Sequence, residues 1–317
     1  MTTEPTIEDV REAAERIRPY VHRTPVLTCS TLNEMCDAEI FFKCENFQKV
    51  GAFKIRGATN AVFSLGKQEA SKGVATHSSG NHAAALALAA GWRGIKAYVV
   101  MPENVPHVKR DAVEHYGAEI IFCKPTVKDR EERLAKVLER TGAALVHPYN
   151  DHRVISGQGT AALELCQEIP ELDMMMTPVG GGGLLSGTAI TVNALSPMTH
   201  VIAAEPERAD DAHRSFHAGE IIPIDNPDTI ADGLRTSLGD LTFPIIKKYV
   251  QDIITVSEEG IITAMRTIWE RMKIIVEPSA SVPLGALLTK RPEFSGKRIG
   301  VILTGGNVDL TKLPWMD

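Results

Sequence analysis

Lys54 stands in the stretch ENFQKVGAFKIRGATNAV (residues 45–62), between Phe53 and Ile55 and bounded by Gly51 and Gly57. A helix lysine is ordinarily a solvated charge, but this one falls where a helix should begin, among small residues that let a ligand approach the backbone. Apolar surroundings lower an amine's pKa, and the free amine is a nucleophile toward carbonyl groups. VGGGGLLSG (179–187) leaves a predicted strand and opens a helix. Its Gly180, Gly181, Gly182 and Gly183 expose backbone N–H groups at a helix N-terminus, which suits a phosphate dianion. A plain turn rarely needs four glycines in succession. THSSGNHAAALALAA (76–90) is a second strand–loop–helix junction, with Ser78, Ser79, Gly80, Asn81 and His82 in the turn. It could hold a carboxylate, whereas simple N-capping needs only one such residue. ILTGGNVDL (302–310) ends the last predicted strand with Thr304, Gly305 and Gly306.

Three glycine-bearing turns and one lysine in an apolar setting are what a buried, phosphorylated carbonyl cofactor requires. A dinucleotide site is the rival explanation. Its GxGxxG pattern is met by Gly181 and Gly183 but not at Ser186, and Glu205 lies near the distance expected of a ribose-binding acid. On that reading the chain is a nicotinamide-dependent oxidoreductase, and Lys54 and SSGNH go unexplained. A non-catalytic module that binds an amino acid for regulation would require the loss of the cofactor lysine, yet Lys54 is present.

The elements that must position these residues alternate regularly. Thr6 with Asp9 predicts a capped helix through Arg18, and AEIFFK (38–43) predicts a strand before the lysine segment. From residue 73, GVATH, AYVVM, AEIIFC and AALVH read as strands, with helices in HAAALALAAGW and DREERLAKVLERTG. A second array follows, with a helix at 160–168, strands at 174–179, 200–205, 252–256 and 298–303, and a long helix IITAMRTIWERMKIIV. Strands alternating with helices predict parallel sheets. The reading is two α/β lobes, a large one from 1–72 and 150–317 and a smaller, mobile one at 73–149 inserted into it, with the ligand in the cleft between them.

The whole chain sets limits on partners. Its 317 residues are 44% hydrophobic and 23% charged, as in a globular protein, and a net charge of −6 argues against nucleic acid or an anionic membrane. No apolar stretch is long enough to span a bilayer. The five cysteines (Cys29, Cys36, Cys44, Cys123, Cys166) show no CxxC, so zinc and a disulfide framework are not expected and a reducing, cytoplasmic setting is.

Taken in order, GAFKIRGA, SSGNH, VGGGGLLSG, EPSAS and LTGGNVDL resemble the serine racemase and serine/threonine dehydratase group of fold-type II pyridoxal-phosphate enzymes (tryptophan synthase β-like). That group includes the 3-hydroxyaspartate ammonia-lyases. The resemblance runs from TPVLT (24–28) to GGNVDL and implies a dehydratase of β-hydroxy amino acids such as L-serine and L-threonine, with serine racemisation possible at the same site. It makes Lys54 the Schiff-base lysine, with Phe53 near the cofactor ring, Gly180 to Gly183 and Leu184 on the phosphate, Asn81 on the ring hydroxyl and Thr304 on the pyridine nitrogen. Ser79 matches the serine on the opposite face of the cofactor, and Ser78, Asn81 and His82 would bind the substrate α-carboxylate. Arg130 and Thr236 match substrate-facing residues, and an arginine there could bind a second carboxylate, as in hydroxyaspartate. The carboxylates of Glu205 and Asp211 with the Ala209 carbonyl match a divalent-cation site, whose all-oxygen ligation suits magnesium, manganese or calcium. A homodimer is implied. The resemblance departs at Val50 and Ala84, where racemases that bind ATP carry a threonine and a glutamine, which argues against ATP activation.

Overall fold

The computed structural model describes residues 4–78, 80–105, 107–289 and 294–316. Thr6 accepts from Asp9 N while the Asp9 carboxylate accepts from Thr6 N at 2.7 Å, and this capping box starts the helix Ile7–Ile17. Among the described residues the strands in chain order are β1 (Val26–Leu27), β2 (Glu39–Cys44), β3 (Val74–His77), β4 (Ala97–Pro102), β5 (Glu119–Cys123), β6 (Ala144–Leu145), β7 (Met174–Pro178), β8 (His200–Pro206), β9 (Asp252–Val256) and β10 (Arg298–Leu303).

They form two sheets, one in the order β1-β2-β10-β7-β8-β9 and one in the order β5-β4-β3-β6. Strands of the smaller sheet all fall between β2 and β7 in sequence, so the smaller α/β lobe is an insertion into the larger. Every pairing is parallel except that of β1, a two-residue edge strand antiparallel to β2. Parallel strands are covered on both faces, and side chains alternate between the two. Phe42 and Val301 accordingly enter one core cluster of the large lobe, and Phe41 and Ile302 the other.

β9 and β10 have the bounds expected of them. The helix His152–Glu168 starts well before the expected residue 160, because Gly157 and Gly159 are interior helical positions rather than a turn. Both are contact points. A Cβ on Gly157 would lie 2.6 Å from Gly57 Cα, and one on Gly187 would lie 2.4 Å from Ile155 O. The helix therefore packs backbone to backbone on the helices Lys54–Ser64 and Gly183–Leu195, and it sets the distance between the lysine and the glycine loop. The long helix runs Glu258–Met272 and stops at Lys273, which is left-handed (φ 59), so 273–276 leave the helix earlier than the apolar pattern suggests. Pro278–Thr289, unassigned from the sequence, is a helix buried over most of its length, and with apolar residues on every side it shows no amphipathic period. No helix among the described residues is long and apolar enough to cross a membrane.

Candidate active site

Parallel sheets present loops and helix N-termini at the carboxyl ends of their strands, and here both sheets deliver them to one cleft of about 510 Å³. Lys54 opens the helix Lys54–Ser64 and points into this cleft, its Nζ donating to Pro148 O at 3.0 Å and lying 5.1 Å from the Phe53 ring centroid. Burial pushes its pKa down to about 8, against the opposing pull of the Glu277 carboxylate. The backbone around it is fastened to β10: Phe53 N donates to Thr304 O at 3.0 Å, and Ala52 bridges Gly305.

Gly180 to Gly183 and Leu184 line the same cleft at the start of the helix Gly183–Leu195. The loop has no room for side chains behind it. A Cβ on Gly181 would lie 2.3 Å from the Tyr149 ring, and one on Gly182, whose φ is +87, would lie 2.7 Å from Ile246 Cδ1. With side chains excluded, what such a loop can offer a ligand is its main-chain N–H groups and the positive end of the helix dipole. Thr236 lines the cleft beside Gly180, with Oγ1 3.3 Å from a Cβ built there.

The SSGNH loop contributes unevenly. Ser79 lies outside the described residues. Ser78 N donates to Val100 O at 3.2 Å, so that N–H is already committed, and the Ser78 hydroxyl accepts from Gly80 N at 3.4 Å. Asn81 begins the helix Asn81–Arg93, its Nδ2 3.1 Å from both Glu277 oxygens and its Oδ1 accepting from Asn307 Nδ2 at 2.9 Å. His82 is buried, with Nε2 3.2 Å from Val146 O and Nδ1 without a partner. Burial, and then the nearby Lys54, hold its pKa well below the ordinary value, so the ring is neutral.

Arg130 lies in the first turn of the helix Val127–Thr141 and lines the cleft with Lys54. It is half-buried, with Nε 3.4 Å from Thr126 O, and its charge helps to lower the pKa of His77, after burial.

Two observations test the fit of a pyridoxal phosphate. Thr304 Oγ1 is buried without a partner at the cleft wall, as a hydroxyl awaiting a ring nitrogen would be. The glycine cradle is the second, because a Cβ in it would collide with the protein. The residues fit the group.

A model of the pyridoxal-phosphate dependent enzyme family matches residues 17–305. The chain belongs to that family. Over 311 residues it is 56% identical to the beta-hydroxyaspartate dehydratase of Paracoccus denitrificans, covering 98% of this chain and 99% of that one. It is 51% identical to the serine racemase of Dictyostelium discoideum, covering 97% and 96%. The structure of maize serine racemase superposes with a TM-score of 0.96 at 47% identity, covering 98% of this chain and 95% of that one. This pyridoxal-phosphate enzyme therefore has the fold-type II architecture expected, and the nicotinamide reading falls. Glu205 serves no ribose: its oxygens accept from Ala212 N (3.0 Å) and His213 N (2.8 Å).

Away from the cleft, Glu205, Ala209 and Asp211 are wholly buried. No group meets the Asp211 oxygens in good hydrogen-bond geometry, although the Leu238 main chain lies near enough to pull its pKa down against burial. Burial, with Asp211 adding to it, pushes Glu205 up to about 9, and burial pushes Asp211 up to about 7. Burial thus disfavours the charge on both acids, and no cluster of three or more metal-ligating His, Cys, Asp or Glu side chains occurs among the described residues.

Sequence reasoning did not single out Glu277, Tyr149 or His77, which also line the cleft. Glu277 belongs to EPSAS and Tyr149 to HPYND. The signal for Tyr149 was there to be read, because four consecutive glycines imply a bulky neighbour occupying the space they leave.

Proposed function

We propose that this pyridoxal-phosphate enzyme dehydrates a β-hydroxy amino acid to a 2-oxo acid and ammonia, with 3-hydroxyaspartate preferred over L-serine and L-threonine. One observation carries the preference: Arg130 lines the same cleft as Lys54. The 56% identity to a beta-hydroxyaspartate dehydratase supports it.

When bound, pyridoxal phosphate supplies a carbonyl for amines and a conjugated ring that takes up the electron pair freed at Cα. Lys54 would hold the cofactor through Nζ, and the same Nζ as the free amine would take up the substrate Cα proton. Gly180 to Gly183 and Leu184 would hold the phosphate through main-chain N–H groups, with Phe53 beside the ring and Thr304 Oγ1 and Asn81 as the polar partners of its nitrogen and hydroxyl. A neutral hydroxyl at the ring nitrogen makes a weaker electron sink than an acid would, which favours rapid β-elimination. Asn81 and His82 would bind the α-carboxylate through their main-chain N–H groups at the helix start, with the Ser78 hydroxyl beside them, and Arg130 with Thr236 would take the β-carboxylate. Residues 73–149 act as a mobile domain that closes on the 1–72 and 150–317 domain and excludes water. Ser79 serves the opposite face, where returning a proton to Cα before elimination racemises serine.

Glu205, Asp211 and the Ala209 carbonyl hold a divalent cation on this reading, and the chain acts as a homodimer. A cytoplasmic setting accords with the five free thiols. The test is ammonia release from 3-hydroxyaspartate, L-serine and L-threonine by the purified yellow protein. The highest kcat/KM is expected for 3-hydroxyaspartate, and a clear preference for L-threonine would overturn the diacid assignment.

A further inference from the structure

The turn between β6 and the helix His152–Glu168 is closed by a side chain. His147 Nδ1 accepts from Asn150 N at 3.0 Å and, more weakly, from Tyr149 N at 3.4 Å. An imidazole nitrogen that accepts main-chain N–H bonds carries no proton, so the proton of the neutral ring is on Nε2. Three more groups of the turn are engaged. Pro148 O accepts from Lys54 Nζ at 3.0 Å, the Tyr149 ring backs Gly181, and Asn150 reaches the loop before the helix Thr242–Tyr249 through Leu241 N (2.9 Å) and Asp240 Oδ1 (2.6 Å). Pro148 and Tyr149 face the cleft, and His147 stands behind them.

We infer that His147 is a positioning residue for Lys54: its Nδ1 closes the 147–150 turn and so aims the Pro148 carbonyl at Nζ. A carbonyl that pins one Nζ–H restricts rotation about Cε–Nζ and directs the amine's lone pair toward the Cα proton, and a misplacement of about 1 Å in such a geometry can cost on the order of a hundredfold in rate. The inference rests on Lys54 being the cofactor lysine and base. The ring is faced by His77 from β3 and, edge-on at 4.6 Å, by the Tyr149 ring, with Lys54, His82, Asp151 at the following helix cap and Asp240 as the other titratable groups that feel its charge. Burial, followed by His77 and Lys54, holds its pKa down to about 4 against the pull of the two aspartates, so Nδ1 stays an acceptor at neutral pH.

The experiment compares the holoenzyme with His147→Asn, which keeps an acceptor at the same branch, and His147→Leu, which has none. The substrate is 3-hydroxyaspartate, with and without deuterium at Cα. His147→Leu is expected to lower kcat at least tenfold with KM within threefold, to enlarge the deuterium effect and to alter the visible circular dichroism of the bound cofactor. His147→Asn is expected to stay within threefold of wild type with an unchanged dichroism band. Equal impairment of the two variants, or an unaffected His147→Leu, overturns the inference. Should His147→Leu fail to fold, the acid side decides. Between pH 6 and 4 wild type should lose activity more steeply than His147→Asn, because only His147 can gain a proton at the accepting nitrogen, and identical profiles would overturn the inference. A wild type that releases no ammonia counts against the dehydratase reading instead, and the dichroism still decides His147.

Discussion

Arg56 Nε and Nη2 lie 2.7 and 2.8 Å from the two carboxylate oxygens of Glu45, and both side chains are fully buried. Glu164 accepts from the same guanidinium at 2.8 and 2.9 Å and pairs with buried Lys43 at 2.6 Å. Two cations and two carboxylates thus balance one another beneath the helical turn that presents Lys54. Removing one partner of a buried pair leaves an uncompensated charge and costs about 3–5 kcal/mol. Arg56→Met should therefore destabilise the fold by about that amount in denaturant unfolding. A loss below about 1 kcal/mol would place the network among weak ion pairs.

Gly181 faces the ring of Tyr149 with no space for a methyl group, since a Cβ would lie 2.3 Å from it. Gly181→Ala should displace either the loop or the ring and weaken cofactor retention at least tenfold, read from visible absorbance after dialysis. Gly66→Ala, where φ is −63 and a Cβ meets nothing within 4 Å, should retain cofactor fully. Equal retention by the two would remove the steric reading of the cradle.

The lowered pKa of Lys54 sets a pH dependence. Only the deprotonated amine attacks a carbonyl, so the rate at which cofactor-stripped protein regains pyridoxal phosphate should rise with pH and level off above about 8. A midpoint near the ordinary 10.5 would show that burial does not tune this amine.

For the cation, added magnesium or manganese should raise the melting temperature of chelated protein, by about 2.7 kcal/mol of stability at a hundredfold excess over Kd. Asp211→Asn should abolish that response. It should also raise the stability of the metal-free protein, because one of two adjacent buried acids is neutralised. No metal response in wild type would return Glu205 to its visible role of accepting from Ala212 N and His213 N.

Arg130→Ala tests the second carboxylate. A charge-assisted hydrogen bond is worth about 1.5–3 kcal/mol, or roughly ten- to a hundredfold in kcat/KM. That loss should fall on 3-hydroxyaspartate and spare L-serine and L-threonine. Uniform loss over all three would make Arg130 a residue of lobe closure.

The site was legible where chemistry demands an unusual local sequence. Lys54 with its glycine-bounded apolar flanks and the run Gly180 to Gly183 both stood out, and the structure brings them together. β9 and β10 were legible because their β-branched runs are short and sharply bounded. The helix His152–Glu168 was only partly legible, since Gly157 and Gly159 weaken a helical pattern until Gly57 and Gly187 are seen packed against it. Glu277 and Tyr149 act through residues far away in sequence. Asn81 meets Glu277 across 196 positions, and no local pattern announces such a contact.

Reductive trapping tests the central claim most directly. Borohydride reduction of the holoenzyme, followed by peptide mass analysis, should place the cofactor mass on the peptide containing Lys54 and abolish ammonia release. Cofactor mass on any other lysine, or none on the protein, would contradict the account.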